Sequence, residues 1–178
     1  MRLELIALAL LAGACDKRER SPDPPSGSGS PADLPDPLRL DWQGLRYDLG
    51  SLGVIQATGA LTQFGVYEDE QGGVHVTQDP GRATDGRGAL DLDPPVLVDL
   101  DGDHHDESVI PFELRARATG DSVYGVFVFA LRAGQPVQLG VVTTTAKHAF
   151  SVDGNAIKTA EGALWTWDPA QQRLVRKP

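Results

Sequence analysis

The chain has 178 residues, a formal net charge of −9, 20 glycines, 13 prolines and one cysteine. Its length allows one core-bearing domain with appendages, and a single cysteine excludes an internal disulfide, a CxxC redox pair and a cysteine-rich zinc site. The acidic balance argues against nucleic acid as a partner, because phosphate binding needs clustered Lys and Arg.

The N-terminus reads as a targeting segment. Arg2 is a minimal positive start, diluted by Glu4, and Leu5 to Ala14 form an apolar run of ten residues. At about 1.5 Å per residue that run is about 15 Å long, half of a ~30 Å hydrocarbon core, so it is too short for a stable span. It ends in Leu11-Ala12-Gly13-Ala14-Cys15, with small residues immediately before the only cysteine. This resembles the lipobox of bacterial lipoproteins, with Ala12 standing where Leu is usual. The resemblance implies a signal peptide over 1–14, cleavage before Cys15, and a diacylglyceryl group with further acyl modification on that residue. Two or three acyl chains anchor durably where one does not. Asp16 resembles an inner-membrane retention signal of some bacteria, a rule that varies with organism. The alternative is an ordinary signal peptide with an incidental cysteine.

Residues 15–37 follow as a linker. Asp16 to Pro37 holds six prolines, four serines and two glycines with almost nothing apolar. Such a segment cannot offset its ordering entropy by burial, so the composition predicts a disordered tether.

Residues 38–178 are patterned as strands almost throughout. Leu61–Tyr67 and Gly73–Thr77 flank the polar loop Glu68–Gly72 and predict a hairpin. Asp79 to Asp93 has the weakest pattern and predicts a solvated loop. Val96–Leu100 is apolar and β-branched, and in Ser108–Ala118 the proline at 111 predicts an edge strand or a bulge. Ser122–Arg132 is the strongest core candidate; it turns at Ala133–Pro136 into Val137–Thr145. Four short strands follow, at His148–Val152, Ala156–Thr159, Leu164–Trp167 and Arg173–Arg176. The expected fold is mainly β: one antiparallel meander or sandwich-like domain after the signal peptide and linker.

One polar constellation is dense. Asp99-Leu100-Asp101-Gly102-Asp103-His104-His105-Asp106-Glu107 places five carboxylates in nine residues with no Lys or Arg among them. Carboxylates at the first, third, fifth and ninth places of a tight loop converge readily on a hard cation, and a backbone carbonyl, that of His105, suits a further position. The predicted metal ligands are therefore Asp99, Asp101, Asp103, His105 and Glu107, with Ca²⁺ in a structural role. The pattern resembles calcium-blade loops and the first half of an EF-hand loop, but Ile110 stands where an EF-hand has Glu. His104 occupies a position where such loops have glycine at positive φ. The competing expectation is a turn whose Asp side chains satisfy backbone groups without an ion.

Other chemistry is weaker. Adjacent His104 and His105 point to opposite sides of an extended segment, which disfavours a zinc site with His75 or His148. Ser122 misses the GxSxG elbow by one residue, and P-loop, GxGxxG and HExxH motifs are absent. Trp165 and Trp167 alternate along one strand and are expected to cover the core or a sheet face rather than to stack on a sugar.

The lipobox, the linker and the β-rich domain together resemble a loose group of small uncharacterised bacterial lipoproteins. In that group a D-L-D/T-G-D-G-x-x-E loop leads into a Val-rich strand and then a strand pair with a G-x-P-V turn. The matching stretches are Val98 to Ile110, Gly125 to Leu131, and Gly134 to Gly140; only the Asp loop is specific, and His104 departs from it. The resemblance implies no activity.

The resulting expectation is a non-enzymatic cell-envelope lipoprotein, anchored to a membrane by Cys15, with its domain outside the cytoplasm. It would present a binding surface to an envelope protein or polymer. The alternatives are an envelope enzyme or accessory subunit acting on cell-wall polymer, and a structural envelope-assembly component. A deep cleft bordered by the acidic loop and containing Trp165 or Trp167 would favour the enzyme or glycan reading, and a loop capping a sheet edge in the open would favour the structural one. Charge is localised: Asp91 to Glu107 carries seven acids and no base, and the rest of 38–178 is formally neutral.

Overall fold

Period-two burial shapes the strands of the computed structural model, which describes residues 40–116 and 122–177. The predicted signal peptide, Cys15 and the linker lie outside the described residues. In chain order the strands are β1 (Arg46–Asp48), β2 (Val54–Gln56), β3 (Leu61–Glu68), β4 (Val74–Thr77), β5 (Gly86–Leu92), β6 (Val96–Val98), β7 (Glu107–Ala116), β8 (Ser122–Arg132), β9 (Gln135–Thr144), β10 (Phe150–Asp153), β11 (Ala156–Thr159), β12 (Leu164–Asp168) and β13 (Arg173–Lys177). Every pairing is antiparallel, so the mainly-β antiparallel expectation holds.

The strands form a seven-stranded sheet ordered β4-β3-β5-β7-β8-β9, with β6 also paired to β7, plus a β1–β2 hairpin and a β10–β13 meander. The centre of the large sheet is buried on both faces. On one face Ile110, Phe112, Phe127 and Phe129 pack with Phe64, Val66 and Val76 from the far strands and with Tyr47 and Ile55 of the hairpin. On the other, Val109, Val126, Val128 and Val142 pack against Ile157 and Leu174 of the meander. This two-sided burial explains why Val126 to Ala130 reads as a continuous apolar run rather than an alternating one.

The hairpin closes the curled sheet. Tyr47 sits with its ring 4.6 Å from that of Phe127 and 5.4 Å from that of Phe129. The Gln138 amide of β9 donates to the Asp48 carbonyl and accepts from the Asp48 N–H, both at 2.9 Å. Just beyond β4, the Gln78 amide does the same to Gln56, donating at 2.5 Å and accepting at 3.3 Å. Each side chain thus supplies the donor and acceptor that a neighbouring strand would supply.

Two expectations are corrected. The predicted loop from Asp79 to Asp93 contains β5, a central strand between β3 and β7. Leu90 and Leu92 alternate into the core, but Gly86-Arg87-Gly88 masks the pattern; a Cβ at Gly88 would collide with the Phe64 ring and the Arg115 carbonyl. Pro111 is not at an edge either, for β7 is paired on both sides. Its carbonyl accepts from Asp93 N–H at 2.9 Å, so its hydrogen-free nitrogen faces the gap between β5 and β6, where no ladder bond is required.

Candidate functional site

The acidic loop joins β6 to β7, and its Asp side chains first organise its own backbone. Asp99 Oδ1 accepts from Gly102 N–H at 2.7 Å and Oδ2 from His104 N–H at 3.1 Å. Asp101 accepts from Asp103 N–H at 3.1 Å, and Asp103 from His105 N–H at 2.9 Å. Gly102 and His104 both adopt left-handed backbone, with φ of 78° and 68°. His104 therefore holds the strained position read from the sequence, at a cost that glycine would not incur.

Glu107, the first residue of β7, turns back beneath the loop. It is 2% exposed, and its Oε2 accepts from Leu100 N–H at 2.7 Å. Burial pushes its carboxyl up to about 7, helped by the charges of Asp101 and Asp103 and opposed by the Leu100 N–H. Oxygens of Asp99, Asp101 and Glu107 lie within 4.8 Å of one another. Two oxygens on opposite sides of a calcium ion are separated by about 4.6–5.2 Å, twice the Ca–O bond, so this triad fits a shared centre. The all-oxygen donor set suits a hard cation. Of the five predicted ligands the fold brings together these three. Asp103 is turned toward Arg132, and His105 is exposed.

Arg132, at the end of β8, is the feature that sequence reasoning missed. Its guanidinium donates to Asp101 Oδ2 at 2.5 Å and to Asp103 Oδ2 at 3.3 Å, and lies 5.7 Å from the Trp167 ring centre. The bond to Asp101 holds the Arg132 pKa above its ordinary value. The carboxylates are thus not left to repel one another, as the absence of Lys and Arg within the loop implies. The hairpin register carries the signal: extending Ser108↔Phe129 by three residues brings Arg132 level with His105.

Beside this pair an open groove of about 510 Å³ is lined by Asp101, Asp103, Arg132, Val137, Trp167 and Gln172, among others. Trp165 and Trp167 both pack against the second core, as expected of core-covering residues. The chain matches no family model, no curated protein and no solved structure.

The remaining singled-out residues have local partners. His75 Nε2 lies 2.7 Å from Asp69 and stacks on Tyr67; His148 Nε2 lies 2.8 Å from Asp93, and His104 beside Asp99 at 3.8 Å. The Ser122 hydroxyl donates to Glu113 at 2.8 Å.

Proposed function

We propose that this chain is a lipid-anchored cell-envelope protein, related in design to the small bacterial lipoproteins it resembles, which presents a non-catalytic β-domain for binding. Cys15 carries the anchor, and the linker holds the domain outside the cytoplasm. Ca²⁺ stabilises the acidic loop through Asp99, Asp101 and Glu107. The observation carrying the calcium reading is the convergence of three carboxylates, one of them buried, within 4.8 Å.

Binding is preferred to catalysis because of Arg132. The two carboxylates that reach the groove, Asp101 and Asp103, are both paired with its guanidinium. A charge fixed in this way is poorly placed to exchange protons with a substrate. One observation favours the second reading, an envelope enzyme or accessory subunit acting on cell-wall polymer: the groove joins the acidic loop to Trp167.

Capture from membranes with the full chain, in calcium and in chelator, tests the binding reading. A calcium-dependent partner supports it. Release of sugar from purified cell-wall polymer, lost in Asp101→Asn, would favour the enzyme instead.

A further inference from the structure

A second groove opens beyond the point where Leu174 of β13 packs over Gly140 of β9. Val137 and Leu139 of β9 precede that contact and line the groove beside the acidic loop; Thr143 and Thr144 of β9 and Thr145 just beyond it line the second, of about 300 Å³. Trp165 and Arg176 form its wall as direct cross-strand partners on β12 and β13. Trp165 is half-buried, with the second core behind it. Glu161 comes from the β11–β12 turn, and its Oε1 accepts from Thr145 N–H at 2.9 Å. Hydrogen bonds from the Thr145 and Thr159 side chains hold its carboxyl down to about 2, so it is a permanent acceptor at neutral pH.

Ligand classes fare differently against this set. A simple anion is repelled by Glu161, and a simple cation by Arg176. A wholly apolar body would strip water from both charges with nothing in return. A pyranose matches these groups: its C–H face lies on the indole, its hydroxyls donate to Glu161 and accept from Arg176, and they donate to the Thr145 hydroxyl, whose own proton is held by Glu161. The volume is at the lower end of the range for small-ligand sites, about 300–1,000 Å³, which suits one sugar unit of a longer chain. We infer that this groove binds a neutral saccharide unit, with Trp165 as the platform and Glu161 and Arg176 as its polar clamps. The site goes beyond the calcium reading and shares none of its residues.

The full chain in detergent, with chelator present, is titrated with N-acetylglucosamine trimer, with glucose trimer and with inorganic phosphate, and tryptophan fluorescence is followed. The expected result is a saturable response to at least one trimer and none to phosphate. Arg176→Ala and Glu161→Gln, both at exposed positions, each weaken it at least about tenfold, or 1.4 kcal/mol, and Arg46→Ala, exposed on β1 and outside both grooves, leaves the affinity unchanged. Three results would overturn the inference: no saturable response to either trimer at on the order of 10 mM, where a millimolar Kd saturates; a saturable response to phosphate; or undiminished affinity in both variants. Because chelator is present throughout, none of these bears on calcium.

Discussion

Gln138 and Asp48, ninety residues apart, exchange the two hydrogen bonds that a pair of strands would share. The same exchange joins Gln78 to Gln56, so two side-chain amides seat the β1–β2 hairpin against both margins of the curled sheet. A bare strand edge is a template for unwanted pairing, and these amides cover part of it.

Gln138→Ala is expected to lower stability by about 1–2 kcal/mol, from two hydrogen bonds of modest net worth. Gln138→Glu should cost more, since it faces the Asp48 carbonyl with an oxygen. Urea unfolding measures both, and equal stability of the two variants would contradict the strand-mimic account.

Legibility of the fold varied with how many jobs each residue does. β3, β7, β8 and β9 are long and apolar, so their patterns survive. β1 and β2 are three residues each, and Tyr47 and Ile55 are their only buried positions; no period can be read from one point. β5 hides because Gly88 must be small beneath Phe64. The acidic loop was legible as a local cluster. Its counter-charge was not, because Arg132 reaches it through strand pairing.

His104→Gly should stabilise the loop by up to about 1 kcal/mol, because the residue holds left-handed backbone with an exposed side chain. The measurement is the melting temperature in chelator. A lower value would mean that the imidazole beside Asp99 contributes more than the strain costs.

Arg132→Ala removes the guanidinium from Asp101 and Asp103, and its effect should depend on calcium. In chelator the variant is expected to be less stable than the parent by about 1 kcal/mol or more, since the Asp101 side chain is only 5% exposed. With calcium the deficit should shrink, because the cation replaces the lost positive charge. Parallel thermal melts decide this; a deficit unchanged by calcium would separate Arg132 from the site.

Glu161 sets a pH dependence of definite sign. Its folded pKa lies below its unfolded value, so its contribution is fully present above about 4.5 and is lost as pH falls toward about 2. Glu161→Gln should remove that part of the acid limb. The difference in melting temperature between parent and variant, followed from pH 5 to pH 2, should therefore narrow on acidification. A constant difference would contradict it.

Calcium titration of the full chain, compared with Glu107→Gln and with Asp99→Asn Asp101→Asn, tests the central claim most directly. Glu107→Gln retains an oxygen for the Leu100 N–H while removing the buried charge, so its fold should survive in chelator. Binding to the native state must raise stability by mass action, about 2.7 kcal/mol at a hundredfold excess over Kd. The account predicts a saturable heat of binding and a rise in melting temperature for the parent, both lost in the two variants. No heat and no rise at millimolar calcium, or the same rise in all three proteins, would contradict it.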